Sequence, residues 1–279
     1  MTREESITNL TKPDLFTDNL NLSNLNYFTY GKKTKNHRLD ISLIDYFEKV
    51  KESCKDPEPE FVELINSTMA RVVEKWKEFN FKSVKINIIR TTGEESFNLA
   101  YTRGDSIVIP YSVDLKDKNS LHAINESLLF HEIFHILSRN DQSLREECYS
   151  YFKFFKVDPI NFKGLITNPD CPVYDYAIKL NVGNLIFKEQ MSCVPVIYEV
   201  DGRFDWNSVY SIEKDLLIHV DSTDLFKIIG TNTKYISHPE EICAEHFRIL
   251  MTNWFDSKKS KNQKILSGFL SIIEKKLSI

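Results

Sequence analysis

The run His131-Glu132-Ile133-Phe134-His135 carries the clearest chemistry in this chain. On a helix, residues i and i+4 share a face with Cβ atoms about 5–6 Å apart, so the two imidazoles can grip one cation. Glu132 follows His131 by about 100° of helix rotation, which puts its carboxylate beside the metal as a proton acceptor instead of a ligand. Hydrolysis of a carbonyl compound needs this arrangement. A bound Zn²⁺ lowers the pKa of its water from about 16 to about 7, and the neighbouring carboxylate takes the proton during attack.

The surroundings of the run sharpen that reading. From Leu128 to Leu137 the sequence LLFHEIFHIL has no charged residue other than Glu132 and no helix breaker. Three polar side chains in so apolar a helix would each cost a few kcal/mol if left unpaired. A metal site therefore accounts for them better than two core histidines satisfied by backbone or carboxylates. Catalytic zinc takes three protein ligands and keeps one position open, so a third ligand is needed. Glu241 is one candidate: in YISHPEEICAEHF, Glu241 and Glu245 are i and i+4 and share a face away from Ile242, Phe247 and Leu250. One of these carboxylates could bind the metal and the other could orient a ligating histidine. Asp141, shortly after His135, is the rival. It would need a sharp turn after Leu137, where Ser138 lacks the backbone freedom of glycine, so Glu241 is preferred.

HEIFH followed far downstream by Glu241-Ile-Cys-Ala-Glu245 resembles the gluzincin clan of zinc metallopeptidases, with the anthrax lethal factor-like branch the nearest pattern. The resemblance implies His131, His135 and Glu241 as metal ligands, Glu132 as general base and Glu245 as support. It also implies an α+β, zincin-like fold, in which a small mixed sheet packs on the HExxH helix and C-terminal helices supply the third ligand. An edge strand such as DSIVIPYSV would lie beside that helix to hold an extended substrate. Tyr235 stands near the place where this branch has a tyrosine that hydrogen-bonds the oxyanion. The chain departs from that pattern in the long span between His135 and Glu241. Asp141 keeps open a metzincin-type pattern, H-E-x-x-H-x-x-G-x-x-H or D, but Ser138 occupies the glycine position and no Met-turn is evident around Met191.

The elements that must position these residues can be read more coarsely. Residues 1–40 read as an N-terminal arm. Helices are expected over Ile41–Ser53, with Ile44, Phe47 and Val50 inward, and over Phe61–Phe79, opened by DPEPE, with Val62, Ile65, Met69, Val72 and Trp76 inward. SVKINIIR, FNLAYT and DSIVIPYSV predict a three-stranded sheet with breaks at Gly93 and at Arg103-Gly104. A helix over 119–138 carries HEIFH, and SLREECYSYFKFF predicts another. After a loop at Asn168-Pro169-Asp170, YAIKLN, CVPVIYEV and DLLIHV make a β-rich insertion of about 141–230. Two helices, about 239–255 and 261–277, close the chain, which reads as a single domain. His238 before Pro239 is expected as a helix cap or an oxyanion contact, and His246 and Cys243 as core.

Composition bounds the function. The 279 residues carry 36 basic and 40 acidic side chains, for a net charge of −4, with 42% hydrophobic and 27% charged residues. That is globular composition with no electrostatic footprint for nucleic acid, and the run Lys258, Lys259, Lys261 reads as a solvated helix start. No membrane partner is expected, since no apolar run is long enough to span a bilayer and the polar N-terminus resembles no secretory signal. Five scattered cysteines give neither a disulfide framework nor a zinc ribbon. The expected location is cytoplasmic, or exported without a classical signal peptide. The expected activity is hydrolysis of peptide bonds in a protein or peptide substrate, with the long insertion favouring a narrow choice. The alternatives are a different metal-assisted hydrolase and a non-catalytic binding protein stabilised by its metal.

Overall fold

A computed structural model describes residues 1–30, 41–96, 98–112, 124–183, 188–200, 203–252 and 262–279. The fold is mixed α+β with small sheets. The chain forms two compact units. The first holds Met1–Asn140, Thr167–Pro172 and Ser278–Ile279, and the second holds Asp141–Ile166 and Val173–Leu277.

The first unit begins with α1 (Arg3–Leu10), α2 (Leu15–Asp18) and α3 (Leu22–Tyr30) in place of the expected irregular arm. Thr2 and Asp14 each close a capping box at a helix start, which satisfies two otherwise orphaned N–H groups locally. Phe16 and Phe28 then pack edge-on against each other and against Tyr46, so this segment is core. In α4 (Leu43–Ser53), capped by Ser42, the inward face is Tyr46, Val50 and Ser53. Ile44, expected inside, is 71% exposed. In α5 (Pro59–Glu78), Pro59 sits in the first turn as DPEPE suggests, and the buried stripe runs through Phe61, Ile65, Thr68, Val72 and Trp76. Val62 and Met69 fall outside that stripe. Ile65, Val72 and Trp76 on α5 and Val50 on α4 are buried as expected, while Phe61, Thr68 and Tyr46 complete the inward faces.

The sheet of this unit has the order β1-β2-β4-β3, from Cys54–Lys55 (β1), Asn87–Thr91 (β2), Tyr101–Arg103 (β3) and Ser106–Pro110 (β4). β2 runs parallel to β4, while β1 and β3 pair antiparallel, so the sheet is mixed. β4 is therefore an interior strand, and the edge that the resemblance assigned to DSIVIPYSV belongs to β3. The turn at Gly104 joins β3 to β4 as read from sequence. α6 (Glu126–Asn140) packs on β3 and β4. The expected helix start at 119 lies outside the described residues, and Asn125 caps α6 by accepting from the Leu128 N–H at 2.9 Å.

The second unit contains α7 (Gln142–Tyr151) and a five-stranded antiparallel meander. Its strands are Phe154–Lys156 (β5), Tyr176–Gly183 (β6), Lys188–Val200 (β7), Arg203–Ser211 (β8) and Leu216–His219 (β9). The β-rich insertion is thus a sheet of its own. Leu165, Tyr174, Ala177, Val194 and Val196 form its core. A short α8 (Leu225–Ile229) leads to α9 (Pro239–Met251) and α10 (Gln263–Leu277), and α7, α9 and α10 pack together. All five cysteines are buried and none forms a disulfide. Lys258, Lys259 and Lys261 lie outside the described residues.

Gly93 has a φ of +88°, and a Cβ there would meet Pro110 Cβ at 2.6 Å and Asn98 Oδ1 at 2.7 Å. Its carbonyl also accepts from the Ser96 and Asn98 N–H groups at 3.1 and 2.8 Å, so the turn cannot relax freely. Gly93→Ala is expected to cost about 2–3 kcal/mol, read as a lower urea midpoint. An unchanged midpoint would show that the turn yields.

Candidate metal centre

The centre is built on α6. Leu129, Phe130, Ile133, Phe134, Ile136 and Leu137 are buried, so the helix is packed around most of its circumference. Within that setting Glu132 is 3% exposed and His135 1% exposed, while His131 is half-buried. The two imidazoles meet edge to face with ring centroids 4.8 Å apart and planes at 82°. The i, i+4 spacing therefore presents two ring systems on one face. Glu132 and His135 come together with Asp170, and one potential ligand atom from each lies within 4.8 Å of the others. The donor set of imidazole nitrogen and carboxylate oxygen suits Zn²⁺, so these residues fit the metal on their chemistry.

The C-terminal end of α6 is tied down. Arg139 donates to the Gly104 carbonyl at 2.8 Å and to Thr102 Oγ1 at 2.7 Å, and Asn140 donates to Asp105 at 2.8 Å. These bonds hold the motif helix against the β3–β4 turn.

Asp141, the rival third ligand, starts α7: its carboxylate accepts from the Leu144 N–H at 3.0 Å. It serves as a helix cap.

Glu241, Glu245 and Tyr235 belong to the second unit. Glu241 is 1% exposed in the first turn of α9. Beside it, Glu240 accepts from the Tyr149 hydroxyl at 2.6 Å. Glu245 accepts from Arg248 Nε and Nη2 at 2.8 and 2.9 Å and from Thr233 Oγ1 at 3.1 Å. Thr233 Oγ1 in turn accepts from the Tyr235 N–H at 2.9 Å. Glu245 thus anchors the segment that carries Tyr235. The half-buried Tyr235 ring lies 6.2 Å from that of Trp206.

His238 is the cap of α9. Its Nδ1 accepts from the Glu240 N–H at 3.0 Å and its Nε2 lies 3.2 Å from the Val173 carbonyl, so the proton is on Nε2. Burial holds its pKa below the usual histidine value despite the opposing charge of Glu240. His246, as expected, is core: it bonds the Ile242 carbonyl through Nδ1 and packs on Phe152 and Phe269, and burial depresses its pKa too.

Comparison with family models, with curated proteins and with solved structures finds no match to this chain.

A histidine whose folded pKa is depressed contributes stability above its unfolded pKa of about 6.5, and that contribution is lost as the pH falls through the folded pKa. Asparagine can keep the cap but not the Nε2 bond to Val173. At pH 7.5, His238→Asn should be less stable than wild type by about 1 kcal/mol. The gap should narrow at pH 5.5, because only the wild type has this group to protonate. Urea unfolding at the two pH values measures both, and a gap that widens on acidification contradicts the assignment.

Proposed function

We propose that this protein is a zinc metallopeptidase of zincin-like fold, with His131, His135 and Glu241 as metal ligands. The observation that carries the reading is the pair of imidazoles on one face of a buried helix, with the Glu132 carboxylate buried beside His135. The mixed sheet packed on α6 is compatible with a zincin-like core. Bound there, zinc would acidify water and polarise the scissile carbonyl.

The chain's own groups have distinct parts in this proposal. His131 and His135 donate ring nitrogens from a helix whose packing and C-terminal bonds keep them in register. Glu132 accepts a proton from the attacking water and delivers it to the leaving amine. Its burial strengthens that role, since a carboxylate away from bulk water holds its reacting partner in a low dielectric. Glu241 is proposed as the third ligand on the E-x-x-A-E spacing and its burial in α9. Tyr235 is proposed to donate its hydroxyl to the oxyanion, on a segment that Glu245 and Thr233 hold through the Tyr235 backbone.

Two measurements test the assignment. Glu132→Gln should keep about one zinc per chain while hydrolysis of a mixed peptide library falls by about 10²–10⁴-fold. Full activity in this variant would reject Glu132 as the base, and loss of zinc would make it a ligand.

The third ligand is decided by chelator competition. Glu241→Ala should abolish tight zinc binding. Asp141→Ala should leave affinity unchanged and lower stability by about 1 kcal/mol through the lost cap. The reverse pattern would favour the metzincin-type site.

A further inference from the structure

We propose that Asp170 is a positioning residue for His135, fixing the imidazole by accepting a hydrogen bond from the ring nitrogen that does not face the metal. The inference rests on the zinc reading above and adds a residue that the motif does not contain. Asp170 lies in the short segment Thr167–Pro172, which belongs to the first unit although the chain on either side of it belongs to the second. Its side chain is 6% exposed, and one of its carboxylate oxygens lies within 4.8 Å of a ring nitrogen of His135 and of a Glu132 oxygen.

Two arrangements could use a carboxylate there: direct ligation of the metal, or orientation of a ligand. The partners of Asp170 favour orientation. Its Oδ1 accepts from the Thr102 N–H at 2.7 Å and from Thr102 Oγ1 at 2.5 Å, and Arg139 Nη2 stands 3.9 Å away. Oδ1 is committed to Thr102, and the zinc reading already supplies three protein ligands beside an open position, so Asp170 is left to orient a ligand. The same partners hold the other oxygen in a fixed direction. Thr102 lies in edge strand β3, and Arg139 lies one helical turn beyond His135 on α6, so Asp170 is clamped by the elements that flank the histidine. The backbone is also prepared: the Asp170 N–H donates to Asn168 Oδ1 at 3.0 Å, and Thr167 Oγ1 donates to Asn24 Oδ1 at 2.9 Å. A carboxylate behind a ligating imidazole fixes the tautomer and raises its basicity, and losing such a partner lowers metal affinity by about 10–100-fold.

The test compares wild type, Asp170→Ala, Asp170→Asn and His135→Ala. Zinc affinity is read by chelator competition, and the His135 tautomer by two-bond ¹H–¹⁵N NMR without metal. Circular dichroism confirms folding. Asp170→Ala should bind zinc about 10–100-fold more weakly and show a mixed His135 tautomer. Asp170→Asn, which keeps an acceptor oxygen, should recover a single tautomer and part of the affinity, and it keeps the test readable if the alanine variant misfolds. Unchanged affinity and tautomer in both variants overturns the proposal. Loss of binding in Asp170→Asn as complete as in His135→Ala also overturns it, in favour of direct ligation. Wild type that binds no zinc rejects the metal reading itself, a result distinct from either.

Discussion

Glu132 and His135 are buried in the stretch Leu128–Leu137, whose other residues apart from His131 are leucine, isoleucine and phenylalanine, and that burial constrains what surrounds them. Removing a carboxylate and an imidazole from water is tolerable only where other polar groups meet them. Asp170 is one such group in the first unit. The β3–β4 turn bonds the end of α6 through Arg139 and Asn140, and a loop distant in sequence brings Asp170 alongside.

The loop at 167–172 illustrates how such a site is held without regular structure. Asn168 accepts from the Asp170 N–H and its carbonyl accepts from Cys171, so the chain turns on its own side chain. Thr167 then reaches Asn24 in α3, one of the N-terminal helices that the sequence presents as an arm. α3 therefore holds one end of the segment that carries Asp170.

A second buried polar system organises the start of α9. Neutral His238 satisfies the helix N-terminus with one nitrogen and the Val173 carbonyl with the other, and Tyr149 meets Glu240. Glu245 links Arg248 on its own helix to Thr233 and so to the backbone of Tyr235. Each of the residues His238, Glu240 and Glu245 has a bonded role in placing the helix or the segment before it. They frame Glu241 between two fixed turns, the rigidity that its proposed role as a ligand requires.

The motif helix, its apolar faces, the proline-opened α5, the turns at Gly93 and Gly104 and the β-rich middle segment were legible in the sequence, because each depends on local periodicity or on a backbone preference of one residue. The face of α4 was not legible: hydrophobicity alone favours Ile44 over Tyr46, and only the aromatic cluster with Phe16 and Phe28 reverses that order. The helices within residues 1–30 were hidden for a similar reason, since polar caps and Asn-rich turns resemble an irregular segment until a core exists for Leu10 and Phe16 to enter. Asp141 could have been read as a cap from its position before a helix, but its spacing from His135 drew attention to metal instead. Asp170 had no such signal. Its place beside Glu132 and His135 comes from long-range hydrogen bonds to Thr102 and proximity to Arg139, and pairing between residues far apart in sequence is information that only tertiary structure holds.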